Sequence, residues 1–122
     1  MKYKNKACEI QLANAPEKLQ EICVFFEQLA WVYKKEATVT RVKDAVQGDS
    51  GVHEAGRAVD FRDQIVDADG KPVFLFLPNE TKVIVDSINS KYPRSDGKVV
   101  CIHHSFQGMP YHFHLQIPAS WT

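Results

Sequence analysis

A chain of 122 residues that has no charge surplus, no repeats, no low-complexity tract and no long apolar run is already restricted in what it can be. Lysine plus arginine equals aspartate plus glutamate, 15 against 15, so no global field draws it to nucleic acid or anionic lipid. No apolar run is long enough to span a bilayer. The three cysteines, Cys8, Cys23 and Cys101, are odd in number and show no CxxC spacing, which argues against a disulfide framework and for reduced thiols. Cys23 and Cys101 fall inside apolar patterns and read as buried. Trp31 and Trp121 lack the basic neighbours of a base-stacking platform and read as core or edge packing. The opening Met1-Lys-Tyr-Lys-Asn-Lys6 imitates a positive leader, but Glu9 and Gln11 interrupt the apolar stretch that should follow, so no signal peptide is expected.

What is present is ordinary for a globular protein: 44% hydrophobic and 25% charged residues, in a length suited to one domain. Such a chain buries roughly two-thirds of its unfolded surface. Leu19, Ile22, Cys23, Phe26, Leu29, Ala30 and Tyr33 recur every three or four positions and predict a helix over 15–33, with Asn14, Pro16 and Glu17 marking its start. Ala37–Val42 is rich in β-branched residues and predicts a strand. A loop through Gln47–Gly51 leads to His53, and Gly56 permits a tight turn into a strand at Arg57–Arg62. Asp67–Gly70 signals a turn before the apolar run Val73–Leu77. A second helix is predicted from about Asn79 to Lys91, ending before Pro93. Strands follow at Val99–His103 and Tyr111–Ile117. The last strand alternates, with Tyr111, Phe113, Leu115 and Ile117 expected in the core and His112, His114 and Gln116 on the other face. The predicted fold is α+β: one domain, a small, mostly antiparallel sheet, and two main helices on one side.

The chemistry-bearing residues are His53, Asp60, His112 and His114. A catalytic zinc takes three protein ligands and keeps one position for water. His53 on a loop, Asp60 on a strand and His114 on another strand suit that set. The spacing of His112 and His114 puts both rings on one sheet face about 7 Å apart, near enough for one to bind metal and the other to meet water or substrate. Alone, an HxH pair describes a solvated polar face as well as a metal site. Spacing therefore leaves three readings open: a zinc peptidase, a zinc-binding module that does not cleave, and a plain globular protein with incidental histidines.

Ser50-Gly-Val-His53-Glu-Ala-Gly56-Arg57-Ala58-Val59-Asp60 resembles the zinc signature SxHxxGxAxD of the D-alanyl-D-alanine carboxypeptidase family, which is related to hedgehog domains and many phage endolysins. Tyr111-His112-Phe113-His114 resembles its closing HxH. The resemblance implies a hedgehog/DD-peptidase-like fold and a zinc held by His53, Asp60 and His114. It also implies hydrolysis of peptide bonds in peptidoglycan stem peptides, by a carboxypeptidase or an endopeptidase. The motif serine falls one residue early, Gly51 taking its place. Many relatives carry a carboxylate three positions before the last ligand; here Tyr111 stands there, and no carboxylate follows Asp96. In the HxH branch the first histidine stands near the water, which makes His112 the expected general base. Arg41 lies where relatives place an arginine that grips a substrate carboxylate. His103 and His104 end a strand beside the expected site, where one of them is a candidate for orienting a ligand. Glu54 is a candidate stand-in acid, and Arg57 is expected to order the loop. By the same resemblance the protein is expected to be made in the cytoplasm and to act on the cell wall after release; a monomer is expected, and the balanced charge and lack of a long apolar run predict neither nucleic acid nor membrane as partner.

Overall fold

Asn5 begins the first helix by accepting the Cys8 backbone N–H on its side-chain oxygen (2.9 Å). In the computed structural model, which describes residues 1–44 and 50–122, this helix (α1, Lys6–Ala13) follows a two-residue strand, β1 (Lys2–Tyr3). The expected loop at Gln47–Gly51 lies largely outside the described residues. Neither α1 nor β1 is legible as a pattern. Only Cys8 and Leu12 of α1 are buried, while Ile10 is half exposed, so no amphipathic period marks it. The sheet therefore carries three helices, one more than the periodicity predicts.

The predicted helix over 15–33 is α2 (Glu17–Val32), and its Leu19, Ile22, Cys23, Phe26 and Ala30 form the buried stripe. Each large side chain so buried contributes roughly 1.5–3 kcal/mol before entropy is counted. The second predicted helix is α3 (Pro78–Lys91), inserting Ile84 and Ile88. Pro78 stands in its first turn, and Glu80 accepts the Leu77 backbone N–H (2.8 Å). No helix of the described residues is long and apolar enough to cross a membrane.

The remaining strands are β2 (Thr38–Arg41), β3 (Ala58–Arg62), β4 (Gln64–Val66), β5 (Pro72–Phe74), β6 (Cys101–His104) and β7 (His112–Gln116). The main sheet runs β1-β2-β3-β7-β6; only the β1–β2 pair is parallel. β4 and β5 form a separate hairpin around Asp67, whose carboxylate accepts the Asp69 and Lys71 N–H groups. One sheet face, with Val39, Val59, Phe61, Cys101, Phe113 and Leu115, closes a single core with α2 and α3. Phe26 of α2 stacks on Phe61 at 4.1 Å between ring centroids and meets Phe113 edge-on at 5.1 Å.

Two aromatic expectations are corrected. Tyr111 is 42% exposed just before β7, its ring meeting those of His103 and Phe74. Trp31 is 56% exposed on α2, outside its buried stripe, whereas Trp121 packs at the edge of the core. All three cysteines are buried and unpaired.

Candidate metal centre

The uncovered face of the sheet carries the polar residues in two cross-strand rows. In one, Arg41 (β2), Asp60 (β3), His114 (β7) and Ile102 (β6) stand directly opposite one another; in the next, Arg62, His112 and His104 do. Directly opposed residues share a face and approach within about 5 Å. Arg41 reaches this face through a bulge. Val39 pairs with Phe61 and Arg41 with Asp60, so β2 holds one residue more than β3 across this step. Simple alternation from the buried Val39 would have turned Arg41 into the core.

His53 comes from the loop before β3. Backbone bonds Gly56 N–H to His53 O (2.9 Å) and Arg57 N–H to Val52 O (2.8 Å) tighten that loop, and Gly56 takes φ +75°. Arg57 clamps it to the end of β7 by donating to Ile117 O (2.9 Å), as expected of a loop-ordering residue. His53 is thereby fully buried.

The ring nitrogens are assigned by their partners. His53 Nδ1–H donates to the Val42 carbonyl (2.6 Å), which leaves the Nε2 lone pair facing Asp60 Oδ1 at 3.2 Å. His114 Nε2–H donates to Gln116 Oε1 (3.1 Å), leaving Nδ1 facing the same Asp60 oxygen at 2.8 Å. His112 Nδ1–H donates to Pro110 O (2.9 Å), and its Nε2 lies 3.4 Å from Asp60 Oδ2. Three imidazole nitrogens thus converge on one carboxylate, each ring held from behind by an oxygen acceptor. Lone pairs so arranged repel the carboxylate unless a cation, a proton or a metal ion, lies between them.

This donor set fits a metal. His53, Asp60 and His114 each offer one ligand atom, and the three atoms lie within 4.8 Å of one another. A small inward movement brings them to separations that two bonds of about 2 Å can span. The acceptors behind the rings are the outer contacts that fix tautomer and orientation in metal sites. Burial by itself would raise the Asp60 pKa. With a proton on the nitrogens that face it, hydrogen bonds from His114 and His53, together with the charges of His53 and His112, outweigh it and hold the carboxyl well below the usual range.

A cleft of about 290 Å³ opens over the cluster, with Ser50, Arg41, His104 and Phe106 among its walls. Arg41 pairs with Asp44 at its rim. His104 meets His112 edge-on at 4.7 Å between centroids, and burial, then His112 and His114, pushes its imidazole pKa down. The two strand-end histidines therefore part company. His104 lines the cleft, whereas His103 faces the other side and bonds the fully buried Asp63 through Nε2 (2.6 Å). Asp63 also accepts the Leu75 and Phe76 N–H groups (both 3.1 Å), tying the segment after β5 to the sheet. Glu54 is exposed on its loop.

The three acceptors behind the rings differ in how far the sequence marks them. Gln116 is marked, because it continues the alternation of His112 and His114. The Val42 and Pro110 carbonyls are not, because any residue supplies one. Comparisons with protein-family models, with curated proteins and with solved structures find no match to this chain.

Proposed function

We propose that the chain is a zinc-dependent peptidase of peptidoglycan stem peptides, acting as a carboxypeptidase or an endopeptidase on a hedgehog/DD-peptidase-like fold. The observation that carries this reading is the convergence of His53 Nε2 and His114 Nδ1 on Asp60 Oδ1, each ring held from behind by an oxygen acceptor. His53, Asp60 and His114 would hold the metal. When bound, zinc supplies Lewis-acid polarisation of the scissile carbonyl and acidifies water.

The protein's own residues do the rest. With Nδ1–H tied to Pro110 O, His112 keeps its Nε2 lone pair on the site side, available to accept a proton from water and return it to the leaving amine. Its Nε2 sits 3.4 Å from Asp60 Oδ2, beside the proposed metal ligands. Arg41, turned to this face by the bulge, stands beside Asp60 to grip a substrate carboxylate.

A specific observation favours a second reading, a zinc-binding module that does not cleave: among the described residues, no carboxylate except Asp60 lines the cleft over the cluster. Purified stem peptides incubated with the zinc-loaded protein separate the two. Cleavage that is lost with chelator and in His114→Ala supports the peptidase. Zinc at full occupancy without turnover supports the module, and turnover by metal-free protein sinks both.

A further inference from the structure

Arg62 is the one arginine of four whose guanidinium has no hydrogen bond or ion pair among the described residues. Arg41 holds Asp44, Arg57 holds the Ile117 carbonyl, and Arg94 holds Asp96. Yet Arg62 is not a free surface residue. It is partly buried at the end of β3, two positions after Asp60 and directly opposite His112. That spacing places it on the same sheet face as the metal cluster, about 7 Å farther along the strand.

Two cavities meet at this residue. One, of about 390 Å³, is also bounded by Asp60, His112 and Arg41; the other, of about 590 Å³, extends over the β4–β5 hairpin. Arg62, Gln64 and Tyr111 line both, so together they form one trough that begins at the metal cluster and crosses Arg62. The Asp60 carboxylate cannot serve as the arginine's counter-ion, because its oxygens face His53, His114 and His112. Gln64 spends its Oε1 on the Tyr111 N–H (2.9 Å), and its amide N–H₂ has no partner among the described residues. A partly desolvated cation and a free amide donor therefore line one wall. An anion placed there would offset the desolvation that the unpaired guanidinium now carries.

Resting on the peptidase reading of the site, we infer that Arg62 is a specificity-determining residue that receives a carboxylate of the substrate. Carboxylates are the anions of an unmodified peptide, and the planar guanidinium fork matches one in two parallel hydrogen bonds. Gln64 Nε2 donates to the same group. The 7 Å offset from Asp60 places that carboxylate within about two residues of the bond facing the metal cluster. It belongs either to an acidic side chain or to the peptide's own C-terminus.

The test uses the zinc-loaded protein and calorimetric titration, which reads binding whether or not the peptide is cleaved. The probes are a stem pentapeptide with one glutamate and a D-alanyl-D-alanine end, its glutamine version and its C-terminally amidated version. One of the two neutralisations is expected to weaken binding to the wild type by about 10- to 100-fold through Arg62, and the one whose effect disappears in R62M identifies the source of the carboxylate. R62M is expected to bind that probe and the parent peptide alike with an unchanged melting temperature, whatever preference Arg41 keeps for the other carboxylate, and R62K to keep part of the lost preference. Both preferences unchanged in R62M, or a wild type that shows none or binds no probe, overturn the assignment. Turnover of the same peptides is read separately. An Arg62-dependent preference without cleavage removes the peptidase reading and leaves the carboxylate receptor. Cleavage with the preference intact in R62M removes only the receptor.

Discussion

His114 and Gln116 stand two positions apart on β7, and the His114 Nε2–H donates to the Gln116 side-chain oxygen at 3.1 Å. This contact decides which imidazole nitrogen carries the proton, and so it aims the unprotonated Nδ1 at Asp60. The same logic holds for His53, whose Nδ1–H is fixed by the Val42 carbonyl. Metal affinity should therefore depend on residues that never touch the metal.

Replacing Gln116 with leucine removes the acceptor and keeps the side chain's bulk. Zinc affinity is expected to fall about 10- to 100-fold, read by competition with a chelating dye. Gln116→Glu keeps an acceptor and should retain affinity. Equal affinities in all three proteins would show that the tautomer is fixed by something else.

Zinc added to the metal-free protein should raise its melting temperature. At a thousandfold excess over the dissociation constant the stabilisation is about 4 kcal/mol, which for a domain of this size corresponds to roughly 10–20 °C. His114→Ala should abolish the shift and the one-to-one zinc content seen by metal analysis. A wild type whose melting is indifferent to zinc and to chelator would remove the metal from the account.

His112→Ala should separate binding from chemistry. Zinc stoichiometry is expected to stay at one per chain, while turnover of stem peptides falls by about 10²- to 10⁴-fold. Undiminished turnover would take the proton-carrying role away from His112.

Acid should destabilise the metal-free protein through Asp60. Its folded pKa lies below the unfolded value, so the stability it contributes is present above about pH 4 and is lost as pH falls through the lower folded value. Denaturant titrations from pH 6 down to pH 2 should show that loss in the wild type and a flatter profile in Asp60→Asn. Parallel profiles in the two proteins would contradict the linkage.

Gly56→Ala should cost about 1–2 kcal/mol, because φ +75° is disfavoured for any residue with a β-carbon. The cost is conformational: among the described residues the added carbon would meet only Lys43 Cδ, at an ordinary contact distance of 3.8 Å. Gly56→Asn should cost less, since asparagine tolerates this backbone region. Equal stability of glycine and alanine by urea unfolding would show that the loop relaxes around the change.

Periodicity made much of this protein legible in advance. The three-to-four spacing from Leu19 to Ala30 and the alternation from His112 to Gln116 both follow from the geometry of single elements, which the local sequence carries. The HxH spacing likewise put His112 and His114 on one face, and Gly56 marked the turn after His53. Short elements without a period, α1 and the β4–β5 hairpin, left no such mark, since their stability comes from what they pack against.

Everything that depends on two distant segments meeting was decided by the tertiary structure. The bulge that turns Arg41 out of the core exists only in the pairing of β2 with β3. The opposite facings of His103 and His104 became functional differences only when Asp63 arrived beneath one and the metal cluster beside the other. The sequence by itself determined which residue types could hold a metal. Only the fold brought His53, Asp60 and His114 within 4.8 Å and set Arg62 on the same face, because strand register, not chain distance, decides which side chains share a face.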